Sequence, residues 1–341
     1  MSAPGSVAAA TQALLTPGRL AAVALSLLVL GVLPLILPPF DTLQVSYGLI
    51  LGIAALGFNL LLGYTGLLSF GHSAFFGTGA YAAAFLVKYW GVRSMEAFIV
   101  AGVLASLLVA ALIGAVCVRY TRIFFGILAL ALSQVLWSLA LKLFWVTGGT
   151  DGLRVPTPTL LGGAFTQAFG VQTDKTAFLA HRYYYYVLAV FVLATTVMWV
   201  IVHSPFGKAL QAIRDNEVRA EFVGVQVRRY RYVAFLVSGA FTGLAGVLWV
   251  PLNGLTTPEV LYWPFSGRIV FMAVLGGFRT FWGPIVGAFV YNYLEVWAVS
   301  ATVYWQLVLG VILVALVLTM PTGLVGTAGQ LLAWLRRSRR A

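Results

Sequence analysis

Apolar residues run along this chain in long continuous blocks, separated by short polar or glycine-rich joints. An α-helix needs about 20 apolar residues to cross the hydrocarbon core of a bilayer. Ten blocks approach that length: 20–38, 43–62, 71–90, 97–118, 123–146, 183–203, 232–252, 265–278, 283–299 and 303–320. The eighth is short and the third is interrupted by glycine, so the pattern leaves open whether these two span or are re-entrant. The runs are continuous rather than alternating, which disfavours an outer-membrane barrel. The expected fold is therefore an all-α integral membrane protein, a polytopic helical bundle of about ten membrane segments.

Composition agrees. Of 341 residues, 61% are hydrophobic and only 9% charged, against about 25% charged in soluble domains. A net charge of +12 would suit nucleic acid, but in so apolar a chain it reads as lysine and arginine retained on the cytoplasmic side. Lipid is the expected partner of the surface, and no nucleic-acid partner is expected. An even number of segments puts both termini on one side, and Arg336, Arg337, Arg339 and Arg340 place that side in the cytoplasm. Arg119 and Arg122, and then Lys208, Arg214, Arg219, Arg228, Arg229 and Arg231, fall on the same side. Residues 1–19 become a cytoplasmic tail, 20–320 the transmembrane domain and 321–341 a basic cytoplasmic tail. The block from Leu20 is too long for a signal-peptide core and is read as a retained first span. Cys117 can form no internal disulfide and reads as a small buried hydrophobe.

Several features could be structural or functional. Tyr183 to Tyr186 fits an aromatic belt at the outer interface, or equally a run packed between helices. Glycine pairs four apart, Gly48 with Gly52, Gly239 with Gly243 and Gly283 with Gly287, predict close helix crossings. Residues 62–81 and 275–291 share a leucine–glycine start, an aromatic–glycine pair and a tyrosine end, the form of broken helices at corresponding positions in two halves of a transporter; chance similarity is an equal contender.

Candidate chemistry is sparse. There is no glycine-rich loop ending in Gly-Lys-Ser/Thr, since Ala209 follows Gly207-Lys208, so ATP-driven work would need another chain. Ion-coupled carriers keep acids inside their spans. Here Asp215, Glu217 and Glu221 lie in a cytoplasmic loop, and Asp41, Glu96, Asp151, Asp174 and Glu259 lie in outer connections. Glu295 alone falls in a span, near its outer end. His72, His181 and His203 lack ligand spacing, so no metal and no cofactor is expected. The segment from Gly63 to Ser73 is polar and flexible for its surroundings. Gly63, Thr65, Gly66, Ser69 and His72 could face a solute path, or simply form a tight turn. The sequence TGGTDGL from Thr147 is a turn-rich outer cap.

The most unusual stretch is the polar loop 204–231. Pro205 and Gly207 stop the preceding span. Ala209, Leu210, Ala212, Ile213, Val218 and Ala220 then supply an apolar face for one or two short helices, ended at Gly224. A loop serving topology alone would need the arginines but not the interleaved acids, alanines and glycine. It reads as a docking element in which Arg214, Asp215, Glu217, Arg219 and Glu221 supply polar contacts, and Arg214, Asp215, Asn216, Glu217 and Gly224 are the residues expected to carry the docking.

SPFGKALQAIRDNEVRAEFVGV followed by RRYRYVAFLVSGAFTGLAGVL resembles the coupling loop and following helix of branched-chain amino acid ABC transporter permeases of the LivM type. GYTGLLSFGHSAFFGTGAYAAA, TGGTDGL, VLGGFRTFWGPIVGAF and MPTGLVG resemble further blocks of that family, in family order, over residues 47–326. The resemblance implies a type II-like ABC importer fold in a bacterial inner membrane. It implies a heterodimer with a second related permease subunit, two ATP-binding subunits and a periplasmic solute-binding protein. The implied solute is a branched-chain amino acid, with urea, amides or aromatic acids as alternatives in the same family. The chain departs from the family at Arg279, where glycine is common. An ion-driven secondary carrier is a rival reading, opposed by the shortage of intramembrane acids. A membrane enzyme is a second, opposed by the absence of any convergent catalytic constellation.

Overall fold

The computed structural model describes residues 17–120, 122–163 and 175–338. Most of the expected N-terminal tail, Asp174, Arg339 and Arg340 lie outside the described residues. The chain folds as a helical bundle: α1 (Pro17–Ile36), α2 (Pro39–Asn59), α3 (His72–Trp90), α4 (Met95–Cys117), α5 (Arg122–Lys142) and α6 (Tyr184–His203). Two short helices follow, α7 (Pro205–Asp215) and α8 (Glu217–Phe222). The bundle is completed by α9 (Val227–Asn253), α10 (Trp263–Gly276), α11 (Gly283–Ala301), α12 (Trp305–Thr319) and α13 (Gly323–Ser338).

Six helical stretches among the described residues are long and apolar enough to cross a membrane: Pro39–Thr65, Met95–Cys117, Ile123–Lys142, Lys175–His203, Val227–Asn253 and Trp305–Leu331. The protein is thus a multi-pass helical membrane protein. Leu25–Ile36 and Trp263–Gly276 are shorter apolar helices. The helices α3 and α11 have 19 residues each but do not reach the same apolarity. Glycine, serine, threonine and asparagine dilute them, as suits helices that face protein more than lipid.

The centre of the bundle is α2, with nine-tenths of its spanning window (89%) buried. It packs on α6, α9, α10 and α11, while α9 packs on α3 and α4. Small residues let these helices meet backbone to backbone. A Cβ on Gly79 would run into the Gly243 carbonyl, one on Gly246 into that of Phe76, and one on Gly287 into that of Met272. Of the three glycine pairs read from the sequence, every member but Gly283, which faces the turn before its own helix, lies against a neighbouring helix. Gly239 lies against Ala110, Gly243 against Ser106 and Gly48 against Phe289.

Helix direction sorts the connections into two ends. One end carries the two-residue strands β1 (Leu153–Arg154) and β2 (Leu255–Thr256), paired antiparallel, the small exception to an all-α fold. There Lys88 Nζ donates to the Trp145 and Val146 carbonyls (2.7 and 2.9 Å). TGGTDGL is a turn at this end, with positive φ at Gly148, Gly149 and Gly152. Tyr183 and Tyr184 are buried, and their hydroxyls donate to the Leu248 and Leu30 carbonyls, each at 2.6 Å. These two tyrosines are packing residues, whereas Tyr185 is exposed.

The opposite end carries α7, α8 and two interrupted helices. Helix α2 runs into a π-helical turn, Leu60–Thr65, and stops where Gly66 takes φ +76°. The Leu67 amide then bonds back to the Leu61 carbonyl at 3.0 Å, the helix-ending pattern that left-handed glycine permits. The second interruption, between α10 and α11, passes through Gly277 at φ +107°. The two breaks touch: Asn59 Nδ2 donates to the Thr280 carbonyl (3.4 Å), and Gly63 leaves no room for a Cβ beside the Phe278 carbonyl. Arg279 is exposed on this second turn.

Candidate functional site

The polar loop is built as two capped helices. Ser204 caps α7, its Oγ accepting from the Gly207 amide (3.4 Å), and Pro205 occupies the first turn where no intrahelical donor is needed. Leu210 and Ile213 point inward and are buried. The chain turns at Asn216, in extended backbone, whose Oδ1 accepts from the Arg219 amide (2.9 Å) to cap α8. Gly224 then reverses direction at φ +88°, and the Val225 amide bonds the Ala220 carbonyl (3.0 Å).

Two contacts lock this unit to the bundle. Arg214 reaches back to the end of α2, where its Nη1 donates to the Gly63 carbonyl (2.5 Å), while Nε and Nη2 hold Asp215 Oδ1 (3.1 and 3.0 Å). Glu217 makes a two-pronged ion pair with Arg231 of α9, at 2.6 and 2.8 Å. The Arg231 side chain is 7% exposed, so its charge is stabilised only while the carboxylate is present. Phe206 stacks on Tyr230 at 5.6 Å between centroids. Thr65, Gly66, Arg214, Asp215, Asn216, Glu217 and Arg231 line a cleft of about 410 Å³ between α2 and the loop.

The structure therefore brings Gly63, Thr65 and Gly66 together with Arg214, Asp215, Asn216 and Glu217, two groups that the sequence analysis assigned to separate tasks. Ser69 and His72 lie elsewhere, both fully buried. The His72 Nε2 is 2.8 Å from Ser238 Oγ of α9, and the ring stands edge-on to Phe58 and Phe75. Thr65 Oγ1 donates to the Leu60 carbonyl (2.9 Å) and so belongs to the turn itself.

Three of the five expected docking residues make contacts within the protein, Arg214 with Gly63, Asn216 in a cap and Glu217 with Arg231, while Arg214, Asp215, Asn216 and Gly224 remain exposed. Among exposed polar residues such as Lys208, Asp215, Arg219 and Glu221, the loop also presents apolar side chains outward. Val218 and Val223 are exposed, and Phe222 is 87% exposed. A phenylalanine and two valines bare on a charged, tightly braced loop form the kind of patch that marks a protein contact. Neither the exposure of Phe222 nor the bracing role of Arg231 was expected from the sequence. The signal for Arg231 was present: Val227, Arg231, Ala234, Phe235 and Ser238 follow helical spacing, and all five are buried.

A family model for the permease component of branched-chain amino acid transport systems matches residues 44–317. The chain is 29% identical over 288 residues to the high-affinity branched-chain amino acid transport system permease protein LivM of Escherichia coli, covering 80% of this chain and 67% of that protein. It is 25% identical over 296 residues to the permease protein LivH of Salmonella typhimurium, covering 84% and 92%. It is 23% identical over 301 residues to the permease protein BraD of Pseudomonas aeruginosa, covering 83% and 95%. No solved structure matches the chain.

Proposed function

We propose, from the premise that this chain belongs to the family of branched-chain amino acid transport system permease components, that it forms one side of the path of an ATP-driven ABC importer in a bacterial inner membrane. Its solute is a branched-chain amino acid or a related small polar compound. It pairs with a second permease of the same family, as the likeness to both LivM and LivH supports. Two ATP-binding subunits supply energy, and a periplasmic binding protein delivers solute. All ten apolar segments take part in the membrane domain, in a type II-like arrangement with both termini in the cytoplasm.

The observation that carries the reading is the braced loop with its bare apolar tip. Partner ATPases receive Val218, Phe222 and Val223 in a groove, while Arg214, Asp215, Asn216, Glu217 and Gly224 keep the loop rigid enough to transmit movement. Through Arg214 the loop grips the Gly63 carbonyl, at the turn where α2 ends. The segment carrying Gly63, Thr65, Gly66, Ser69 and His72 is the inner end of the path in this reading. A rigid shift of the loop would displace that turn and change which side the path opens to.

The test is a pull-down of the tagged protein in gentle detergent, paired with solute uptake, for the native chain and the variant Val218→Asp/Phe222→Asp. The native chain should bring down a second permease and ATPase chains. The variant should insert and fold normally, because both side chains are exposed, yet lose the ATPases and uptake. Retained ATPases and normal uptake would reject the docking face. A native chain that purifies alone, folded and transporting, would favour an ion-driven carrier.

A further inference from the structure

Within helices α2 to α6 and α9 to α11 charged residues cluster at helix ends, with one exception, and Arg182 falls in the π-helical turn just before α6. Asp41 and Glu96 sit in first turns, Lys88 and Lys142 in last turns, and the arginines of α9 in its first two turns. Arg268 lies midway along α10, and Glu295 lies two turns inside α11. They pair with each other, Nη2 to Oε1 at 2.9 Å. An arginine and a glutamate within bilayer depth are expensive, and they persist where they face a wet cavity or a substrate.

The pair is incompletely used. One contact joins the two groups, and the Arg268 side chain remains 35% exposed, Glu295 18%. Arginine carries five donors in a planar fork, and among the described residues no hydrogen bond to a further acceptor is formed, although Tyr291 lies near both charges. Beside it Gly267 is buried, yet a Cβ placed there would find nothing within 4 Å. The α10 face next to the guanidinium therefore borders open space. A guanidinium turned to lipid would be costly, so this face turns to water, to a solute or to the second permease.

We propose that Arg268, oriented by Glu295, is a binding subsite for the carboxylate of the transported solute. The free edge of the fork accepts the carboxylate side-on. Glu295 balances the cation when the site is empty and offers an acceptor to a solute ammonium group. The subsite therefore prefers a zwitterion or a carboxylate to a neutral amide. The inference rests on the permease reading and adds the chemistry that the path recognises.

The test uses the whole assembly with its binding protein in proteoliposomes, offered radiolabelled L-leucine, benzoate or urea. The native complex should take up a carboxylate-bearing probe. Arg268→Lys keeps the charge and the ion pair but loses the planar fork. It should lower that uptake about tenfold or more, the equivalent of one hydrogen bond to a charged group. Subunit recovery and basal ATP hydrolysis should not change. The exchange Arg268→Glu/Glu295→Arg keeps an ion pair between α10 and α11 but moves the cation, and it should not restore uptake. Native uptake by either variant would reduce the pair to a helix clamp and overturn the subsite. Loss of the second permease from either variant would make Arg268 an interface charge and overturn it too. Uptake of urea alone would reject the subsite while leaving the permease reading intact. Uptake of none of the three would reject the permease reading and the subsite with it.

Discussion

Two arginine–glutamate pairs join different elements of this molecule, and they differ in how deeply each guanidinium is buried. Glu217 and Arg231 join the loop to α9 through two contacts, with the guanidinium 7% exposed. Arg268 and Glu295 join α10 to α11 through one, with a third of the arginine bare. A doubly bonded pair with a buried guanidinium fixes geometry, since losing Glu217, itself 38% exposed, strands Arg231 without solvent. An open pair inside the membrane fixes little by itself and leaves donors to spare. The first pair braces the loop, and the second has the open guanidinium that the proposed subsite uses.

The largest break in this comparison is Arg214→Ala/Glu217→Ala. It frees the loop from Gly63 and leaves Arg231 buried without its carboxylate, a local cost of about 3 kcal/mol. The protein should still insert, because the bundle contacts of α2, α3 and α9 are untouched. Uptake should fall below detection, and amide exchange across residues 205–231 should speed up in hydrogen-exchange mass spectrometry. Unchanged exchange in that stretch would show that the brace does not hold the loop.

A smaller test sets the pairs side by side. Glu217→Gln keeps the shape but removes the charge facing Arg231, costing about 2 kcal/mol. Glu295→Gln should cost under about 1 kcal/mol, because Arg268 can recruit water. Thermal melting of the two purified variants should rank Glu217→Gln as the less stable. The reverse ranking would mean that the membrane pair is the structural one.

Neither pair was plain in the sequence, and the reasons are physical. Apolar runs located the helices well: each of the ten expected segments overlaps a helix, although six stretches meet the length and apolarity needed to span. The loop's helices, its end at Gly224 and the glycine crossings were legible because caps, breakers and spacing are local. Arg231 was hidden by Arg228 and Arg229, which made all three look like topology charges; only the helical phase sets it inside. Arg268 was hidden by averaging, as one arginine barely dents an apolar window, and its partner Glu295 lies 27 positions on. The meeting of Gly63 with Arg214, 151 positions apart, is tertiary and leaves no trace in local pattern. The exposed Phe222 reads in sequence as one more apolar residue.

The smallest prediction probes how much tolerance the loop brace has. Gly224 stands at φ +88°, and a Cβ at this position would have nothing within 4 Å. Alanine would therefore meet no clash, and only the left-handed backbone opposes it. That strain is worth about 1 kcal/mol. The turn matters because it sends the chain from α8 back to α9, where Arg231 must reach Glu217. If the ion pair dominates the turn, Gly224→Ala should lower uptake by no more than about fivefold, the factor by which 1 kcal/mol changes an equilibrium. Gly224→Pro cannot take a positive φ at all and should break the return, with exchange in residues 217–231 rising as it does in the double variant. Equal, severe loss in both variants would move control of the loop from the Glu217–Arg231 pair to the glycine turn itself.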